Sequence, residues 1–409
     1  MKRTIVKSRK WLYDYILYFV IILPFMFPEY FTLTERLHLV NYVLTYTSIA
    51  LMAFDIVRGG RKWIYIFPFV ICFLEYAVLI FSTYHNHGLL GTTIKTSVKK
   101  ILLWLVVAKA LNDTDKRDSL LHATRDICLA LFAVNFLTEI IYSNGIPSIT
   151  VYGDSKYYFL GNVNTTIRKV YPGICCSVLI GLKRNKKITW GTAFFALGLI
   201  YQFLFRYHGA TTIVAVTLLT LWIAFSERIA KHIRTVYPVI LGVLVYVEIT
   251  IVFLPSKTDL ILFISKLFGK TITFSGRTSI WDKALTQIAN SPIFGYGIQE
   301  SQKLNEMIGN RFSAHNYFLD LLFQRGMIGL VLYLILIIMP VFLLKRTKTI
   351  SQYTYVLIGF SCTIFAMSLF EPLYISEAII YPIILSMIIM LKKEKKMSFI
   401  DVIYSKTDK

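Results

Sequence analysis

Apolar runs of about 20 residues recur along this chain of 409 residues, joined by short connections. A helix of that length crosses the ~30 Å hydrocarbon core of a bilayer. In lipid the backbone must satisfy its own hydrogen bonds, so only helices and closed barrels span. Barrel strands read as short segments of alternating polarity, and this sequence contains no such segments. The expected fold class is therefore an all-α polytopic membrane protein, with residues 1–409 forming a single integral membrane domain. Charged residues make up 16% of the chain against 56% hydrophobic, too few to break so many runs in a soluble protein.

About twelve spans are expected, at 12–31, 38–57, 64–83, 94–111, 120–142, 165–182, 188–205, 210–226, 236–254, 326–344, 351–370 and 373–391. The formal net charge of +21 raises the possibility of nucleic acid, and its distribution argues against that partner. Basic residues gather in alternate short connections: Arg58, Arg61 and Lys62; Lys183, Arg184, Lys186 and Lys187; Arg228, Lys231 and Arg234; Lys345, Arg346 and Lys348. The tail "KKEKK" at 392–396 repeats the pattern. This is the positive-inside signature of cytoplasmic loops, and it places both termini in the cytoplasm. The fourth span is the least regular, because Lys95, Lys99, Lys100 and Lys109 punctuate it. The basic start "MKRTIVKSRK" is followed by no small-residue cleavage site, so a retained first helix is expected.

Two long connections fall on the extracytoplasmic side, at 143–164 and 255–314. Long ordered loops on a rigid scaffold concentrate function. The second is expected to be partly helical, a structured platform before the tenth span. "KTDLILFISKLF" (257–268) is an apolar segment suited to the membrane interface. In "TFSGRTSIWDKALTQIANSPIFGYG" (273–297), Ser279 with Asp282 reads as a capping box. Ile280, Trp281, Ala284, Leu285 and Ile288 share one helical face, Asn290-Ser291-Pro292 ends the helix, and Gly295 and Gly297 supply a turn. Ser313 is the expected cap of a further helix, "AHNYFLDLLFQ", running up to Arg325-Gly326.

Many spans, one large outer loop and the ordered motifs "GRTSIW", "SPIFGYG" and "AHNYFLDLLFQRGMIGL" resemble the O-antigen ligase and polysaccharide polymerase family. The resemblance covers roughly residues 273–330. Its matching positions are Arg277, Trp281, Pro292, Gly295, Gly297, His315, Asn316, Gly326 and Gly329. It implies a membrane glycosyltransferase whose donor is a glycan carried on a polyprenyl diphosphate, with the lipid diphosphate leaving as an acceptor hydroxyl attacks the anomeric carbon. It implies membrane lipid and that lipid-linked oligosaccharide as partners, with a chain-length regulator and a flippase as candidate protein partners. No cofactor and no metal are expected.

Residue chemistry points the same way. An enzyme on the outer face has no access to cytoplasmic nucleotide sugars, so its donor arrives already activated. Cleavage puts negative charge on the diphosphate, which fixed cations stabilise, and arginine matches phosphate oxygens with a forked, permanently charged group. Arg277 is the leading diphosphate ligand, at a helix N-terminus where backbone N–H groups also favour anions. Its bland alternative is an arginine snorkelling to headgroups or pairing with a carboxylate. His315 is the candidate general base, expected in a first helical turn where the dipole keeps the imidazole neutral. Asn316 and Asp320 are candidate supporting residues, as is Trp281.

Arg168, Lys169 and Arg206 lie near outer ends of spans and are the next cations. The family carries an arginine in a Ser-Arg-Gly-like turn where this chain reads "FRYHGAT", with Tyr207-His208 before Gly209. Arg206 or His208 would then take that arginine's place, and Arg206 is favoured because histidine is mostly neutral. "GNVNTT" at 161–166 loosely matches the family's Gly/Asn segment before a span.

Other features read as structural. Asp113 and Asp115 belong to a solvated turn, Arg325 to a helix-end anchor, and the five cysteines to the core. His85 and His87 have no neighbouring carboxylate or cysteine to complete a metal site. Glu75, Glu139 and Glu248 are intramembrane acids and candidates by position. About twelve spans and buried acids also fit a transporter of lipid-linked sugar. The lack of a repeat between the halves and the one-sided loop argue against it.

Overall fold

The structure, a computed structural model, describes residues 2–34, 37–58, 66–147, 156–183, 189–202, 204, 210–224, 226–253, 277–346 and 352–372. Helices dominate these residues. They are α1 (Lys2–Ile22), α2 (Glu29–Leu33), α3 (His38–Arg58), α4 (Ile66–His85), α5 (Leu90–Leu111), α6 (Thr114–Ile141) and α7 (Val163–Lys183). Then come α8 (Trp190–Tyr201), α9 (Ala210–Ala224), α10 (Ser226–Phe253), α11 (Arg277–Asn290), α12 (Ser301–Ile308), α13 (Tyr317–Arg346) and α14 (Gln352–Ser368). Eleven of the expected spans overlie a helix, and the twelfth, 373–391, lies outside the described residues. Among the described residues five helices are long and apolar enough to cross a membrane: His38–Arg58, Pro68–His85, Thr114–Ile141, His232–Val252 and Tyr317–Lys345.

Helix α3 has the inverted polarity of a helix in lipid. Along α3, Thr45, Ser48, Met52 and Asp55 are buried, while Leu39, Val43, Tyr46 and Val57 face outward. These inward positions recur at helical spacing, so the polar stripe meets the bundle and the apolar stripe is left for acyl chains.

The two ends of the bundle differ. At one, Asp55 lies 3.3 Å from Lys109 and 3.4 Å from Lys116, and Lys183 pairs with Asp118. Asp113 caps α6 there, accepting from the amides of Asp115 and Lys116, and Asp115 lies in the first turn of that helix where a solvated turn was expected. At the other end lies the platform formed by residues 277–316.

Several boundaries differ from expectation. The first span was expected to run to 31, but α1 stops at Ile22, a 3-10 turn follows at Leu23–Phe25, and α2 starts at Glu29. Pro24 and Pro28 cause the break, since neither can donate to a helical ladder. Ser279 does not cap α11, because the helix already begins at Arg277 and Ser279 lies inside it. Ser313 does not cap α13 either. That helix begins at Tyr317, and Asn316 Oδ1 accepts from the Leu319 amide at 2.9 Å. Helix α12 was not expected; it closes on Gly309 in a left-handed conformation, φ 77°.

The platform is clasped to the bundle by backbone hydrogen bonds. Tyr296 N donates to Phe323 O at 2.7 Å, Gly297 N to Gln324 O at 2.9 Å, and Met327 N to Pro292 O at 2.8 Å. Helix α13 opens to receive this loop at Gly326, whose φ of 61° and ψ of −163° interrupt the helix. A Cβ there would lie 2.1 Å from Ile293 O, so both the dihedral and the close approach require glycine. The opposite side of the loop rests on α4, with Ile298 N on Thr83 Oγ1 at 3.0 Å and Asn86 Nδ2 on Gly295 O at 3.0 Å.

Candidate functional site

Helix α11 turns its apolar face inward. Trp281, Ala284 and Ile288 are buried with Ile251, Val252, Ile308, Ala314 and Leu319 in a small core of their own. That burial leaves Arg277, the first residue of the helix, at its rim. Arg277 Nη2 lies 2.8 Å from Glu371 Oε1, and Nη1 donates to the Phe370 carbonyl. The arginine side chain is 20% exposed while the glutamate is 3% exposed.

Glu371 is also reached from α7. Asn164 Nδ2 donates to the same Oε1 at 2.6 Å. Asn162 caps this helix, its Oδ1 accepting from the Thr165 amide at 3.0 Å, which explains the "GNVNTT" turn. Arg168, four residues into the helix from Asn164, donates to Asn164 O, to Thr165 Oγ1 and to Pro372 O, the last at 3.2 Å. Arg277 and Arg168 therefore converge on one short segment, 370–372, from helices more than a hundred residues apart in sequence.

His315 completes the group. It lies outside any helix, with φ 54°, between Ser313, whose Oγ accepts its amide at 3.1 Å, and the capping Asn316. The expected helix-dipole account of its charge state is therefore replaced by a different one. Burial lowers its pKa to about 4, Arg277 and Arg168 push in the same direction, and Glu371 opposes them. The ring is neutral at physiological pH because it is desolvated beside two guanidinium groups.

Its tautomer follows from the neighbours. Asn310 Oδ1 is occupied by the amides of Phe312 and Ser313, so Asn310 Nδ2 is the group that faces His315 Nε2 at 3.2 Å. Nε2 therefore carries the lone pair and Nδ1 the hydrogen. Buried Nδ1 meets no protein acceptor among the described residues.

The remaining candidates hold this arrangement in place. Trp281 Nε1 donates to Ala314 O at 2.9 Å, and Asp320 Oδ1 accepts from Ala314 N at 2.8 Å, so both fix the residue before His315. Asn316 Nδ2 donates to Glu248 Oε1 at 2.8 Å and to Leu369 O at 3.1 Å, tying α10 and the end of α14 to the same point. Arg206 and His208 lie outside the described residues, as does the 257–268 segment. Glu371 was missed in the sequence because it sits alone beyond an apolar run, with no motif around it.

The other intramembrane acids have structural partners: Glu75 pairs with Arg325, and Glu139 accepts from Asn135 and Gln202. Among the described residues no three His, Cys, Asp or Glu side chains are grouped to hold a metal ion.

Residues 170–334 match the family model described as O-antigen ligase. The exopolysaccharide production protein ExoQ of Rhizobium meliloti is 32% identical over 97 residues, 21% of this chain and 22% of ExoQ. An uncharacterized protein of Haemophilus influenzae is 26% identical over 97 residues, 21% of this chain and 24% of that protein. The similarity thus spans about a quarter of the length of these relatives. No solved structure matches. The matched segment contains Arg277, Trp281, His315, Asn316 and Asp320, and through it this multi-pass membrane protein is similar to the O-antigen ligase family.

Proposed function

We propose that the chain is a glycan polymerase that joins polyprenyl-diphosphate-linked oligosaccharide units on the outer face of the cytoplasmic membrane. The twelve-span arrangement, with the platform outside and both termini in the cytoplasm, belongs to this reading. The observation that carries it is the convergence of Arg277, Arg168 and His315 around residues 370–372.

In the reaction an acceptor sugar hydroxyl attacks the anomeric carbon of the donor. A new C–O bond forms, the bond from carbon to diphosphate oxygen breaks, and its electron pair leaves with the diphosphate. Arg277 and Arg168 stabilise that charge. The His315 Nδ1–H offers a further donor to a phosphate oxygen, since no acceptor meets it among the described residues. The hydroxyl takes the place of the Asn310 amide at Nε2 and passes its proton there. A single displacement inverts the anomeric centre.

Glu371 holds Arg277 oriented until the diphosphate takes over part of its charge. The incoming negative charge also raises the basicity of His315, offsetting the two arginines that keep the ring neutral in the free enzyme.

The test supplies purified protein with a lipid-linked repeat unit and sizes the products. A ladder of lengths is expected. One transferred product that requires a different acceptor makes the protein a ligase, and translocation across sealed vesicles without any new glycosidic bond overturns the enzyme reading.

A further inference from the structure

A second group of cations stands beside the first, in a cavity of about 590 Å³. Its wall includes Lys95, Lys99 and Lys100 from α5, Arg168 and Lys169 from α7, and Arg325 from α13. Glu29 is the one carboxylate among the described residues lining it. Arg325 is matched by Glu75, but Lys95, Lys99 and Lys169 make no ion pair with a carboxylate among the described residues. They are held by softer contacts. Lys95 Nζ stands 4.8 Å from the Tyr42 ring centre, and Lys99 Nζ stands 4.4 Å from that of Phe25 and 3.5 Å from Pro24 O. Lys169 Nζ donates to the Phe27 carbonyl.

These contacts orient an ammonium group without cancelling its charge, and each leaves donors for a ligand. Lys95 to Lys100 lie five to ten residues inside α5, about 8–15 Å along the helix from its start. A positive cavity that deep in a lipid-embedded bundle is costly unless an anion occupies it. Its volume suits a diphosphate with an attached sugar. Thr32, Asn41, Thr96 and Gln324 supply polar contacts along the same wall.

The two cation centres share a boundary. Arg168, Thr165 and Pro372 line the cavity, while Arg168 also reaches the segment that holds Arg277. We infer that this cavity is a second lipid-diphosphate seat, which holds the acceptor saccharide while the first holds the donor. This rests on the glycan-transfer reading above and specifies its other substrate. The chemistry of the two groups agrees with the division. The donor's diphosphate leaves, and it faces guanidinium and imidazole groups. The acceptor keeps its diphosphate throughout, and point charges from lysines suffice to hold it. A polymerase needs both substrates to be diphosphate-linked, so the second seat also accounts for chain growth.

The experiment counts bound lipid on the full-length protein in detergent by native mass spectrometry, using sugar-free polyprenyl diphosphate. Two lipids per chain are expected for the wild type, and one each for Lys95→Gln, Lys99→Gln and Arg277→Gln. In the transfer assay Lys95→Gln should raise KM for the acceptor about tenfold, leave KM for the donor in place, and be rescued by Lys95→Arg. One lipid in the wild type, with a count unchanged by either lysine variant, overturns the second seat and leaves the donor reading intact. Equal competition by phosphatidylglycerol makes the cavity a seat for ordinary membrane lipid, and equal competition by inorganic diphosphate makes it a free-anion site; either overturns the proposal. Two lipids on a protein that forms no glycosidic bond overturns the acceptor role together with the donor reading.

Discussion

Two arginine–glutamate pairs bracket the platform segment, and they differ in one respect that decides their use. Arg277–Glu371 stands at the rim, with the arginine side chain 20% exposed. Arg325–Glu75 is sealed inside the bundle, the arginine 2% and the glutamate 7% exposed. The sealed arginine also lies over the Tyr76 ring, 5.3 Å from its centre. A buried ion pair cannot exchange partners without exposing an unmatched charge to low dielectric. A pair at the rim can, because an incoming phosphate replaces the carboxylate before either charge is stranded. The same two residue types thus make a rivet in one place and, in the proposed reaction, a ligand site in the other. Position relative to bulk water separates the two.

The largest expected effect tests the rim pair. Arg277→Ala should lower the transfer rate about a thousandfold, the scale of losing a fixed charge aimed at the leaving group. Detergent thermal melts should fall less than those of an Arg325 variant, because Glu371 keeps the Asn164 amide as a partner. A melt lowered as far as that of an Arg325 variant would erase the contrast between the pairs.

The sealed pair should show the opposite balance. Arg325→Leu leaves Glu75 unmatched and should cost about 3–5 kcal/mol of stability, most of it recovered in the Arg325→Leu/Glu75→Leu double variant. Thermal unfolding of the three proteins checks this. A double variant no more stable than the single would mean that Arg325 matters for something other than matching Glu75.

His315 sharpens the account of the rim. His315→Ala should reduce the rate about a hundredfold. With a free-enzyme pKa of about 4, wild-type kcat/KM should fall only as pH drops through that value, because the protonated ring accepts no proton. The kcat profile, which reports the enzyme with substrate bound, should fall at a higher pH because the bound diphosphate stabilises imidazolium. Coincident acid limbs would show that no anion binds beside the ring.

The smallest effect concerns positioning. Trp281→Phe keeps the apolar face of α11 and removes one donor from Ala314 O. It should cost about 1 kcal/mol in stability and lower kcat a few-fold with KM unchanged. A change in KM alone would place Trp281 in contact with substrate.

Much of this site was legible because its chemistry is local in sequence. The run from Arg277 to Gly329 carries a helical face, a turn that needs glycine and a kink that needs glycine, and each has a residue signature. Glu371 and the α5 lysines have no such signature. The lysines read as irregularities in a span, and the family match at 170–334 includes neither them nor Arg168.

The sequence alone determined that this chain is a helical membrane protein with a polar platform, since hydrocarbon thickness and backbone hydrogen bonding leave so few alternatives. It also singled out Arg277 and His315 by type and order. Only the tertiary structure decided which cations keep carboxylate partners, that Arg168 and Arg277 meet at residues 370–372, and that four lysines line one cavity. Spacing along a helix fixes which face a residue occupies. What that face meets depends on packing between distant helices, and the charge left over at each contact is set there.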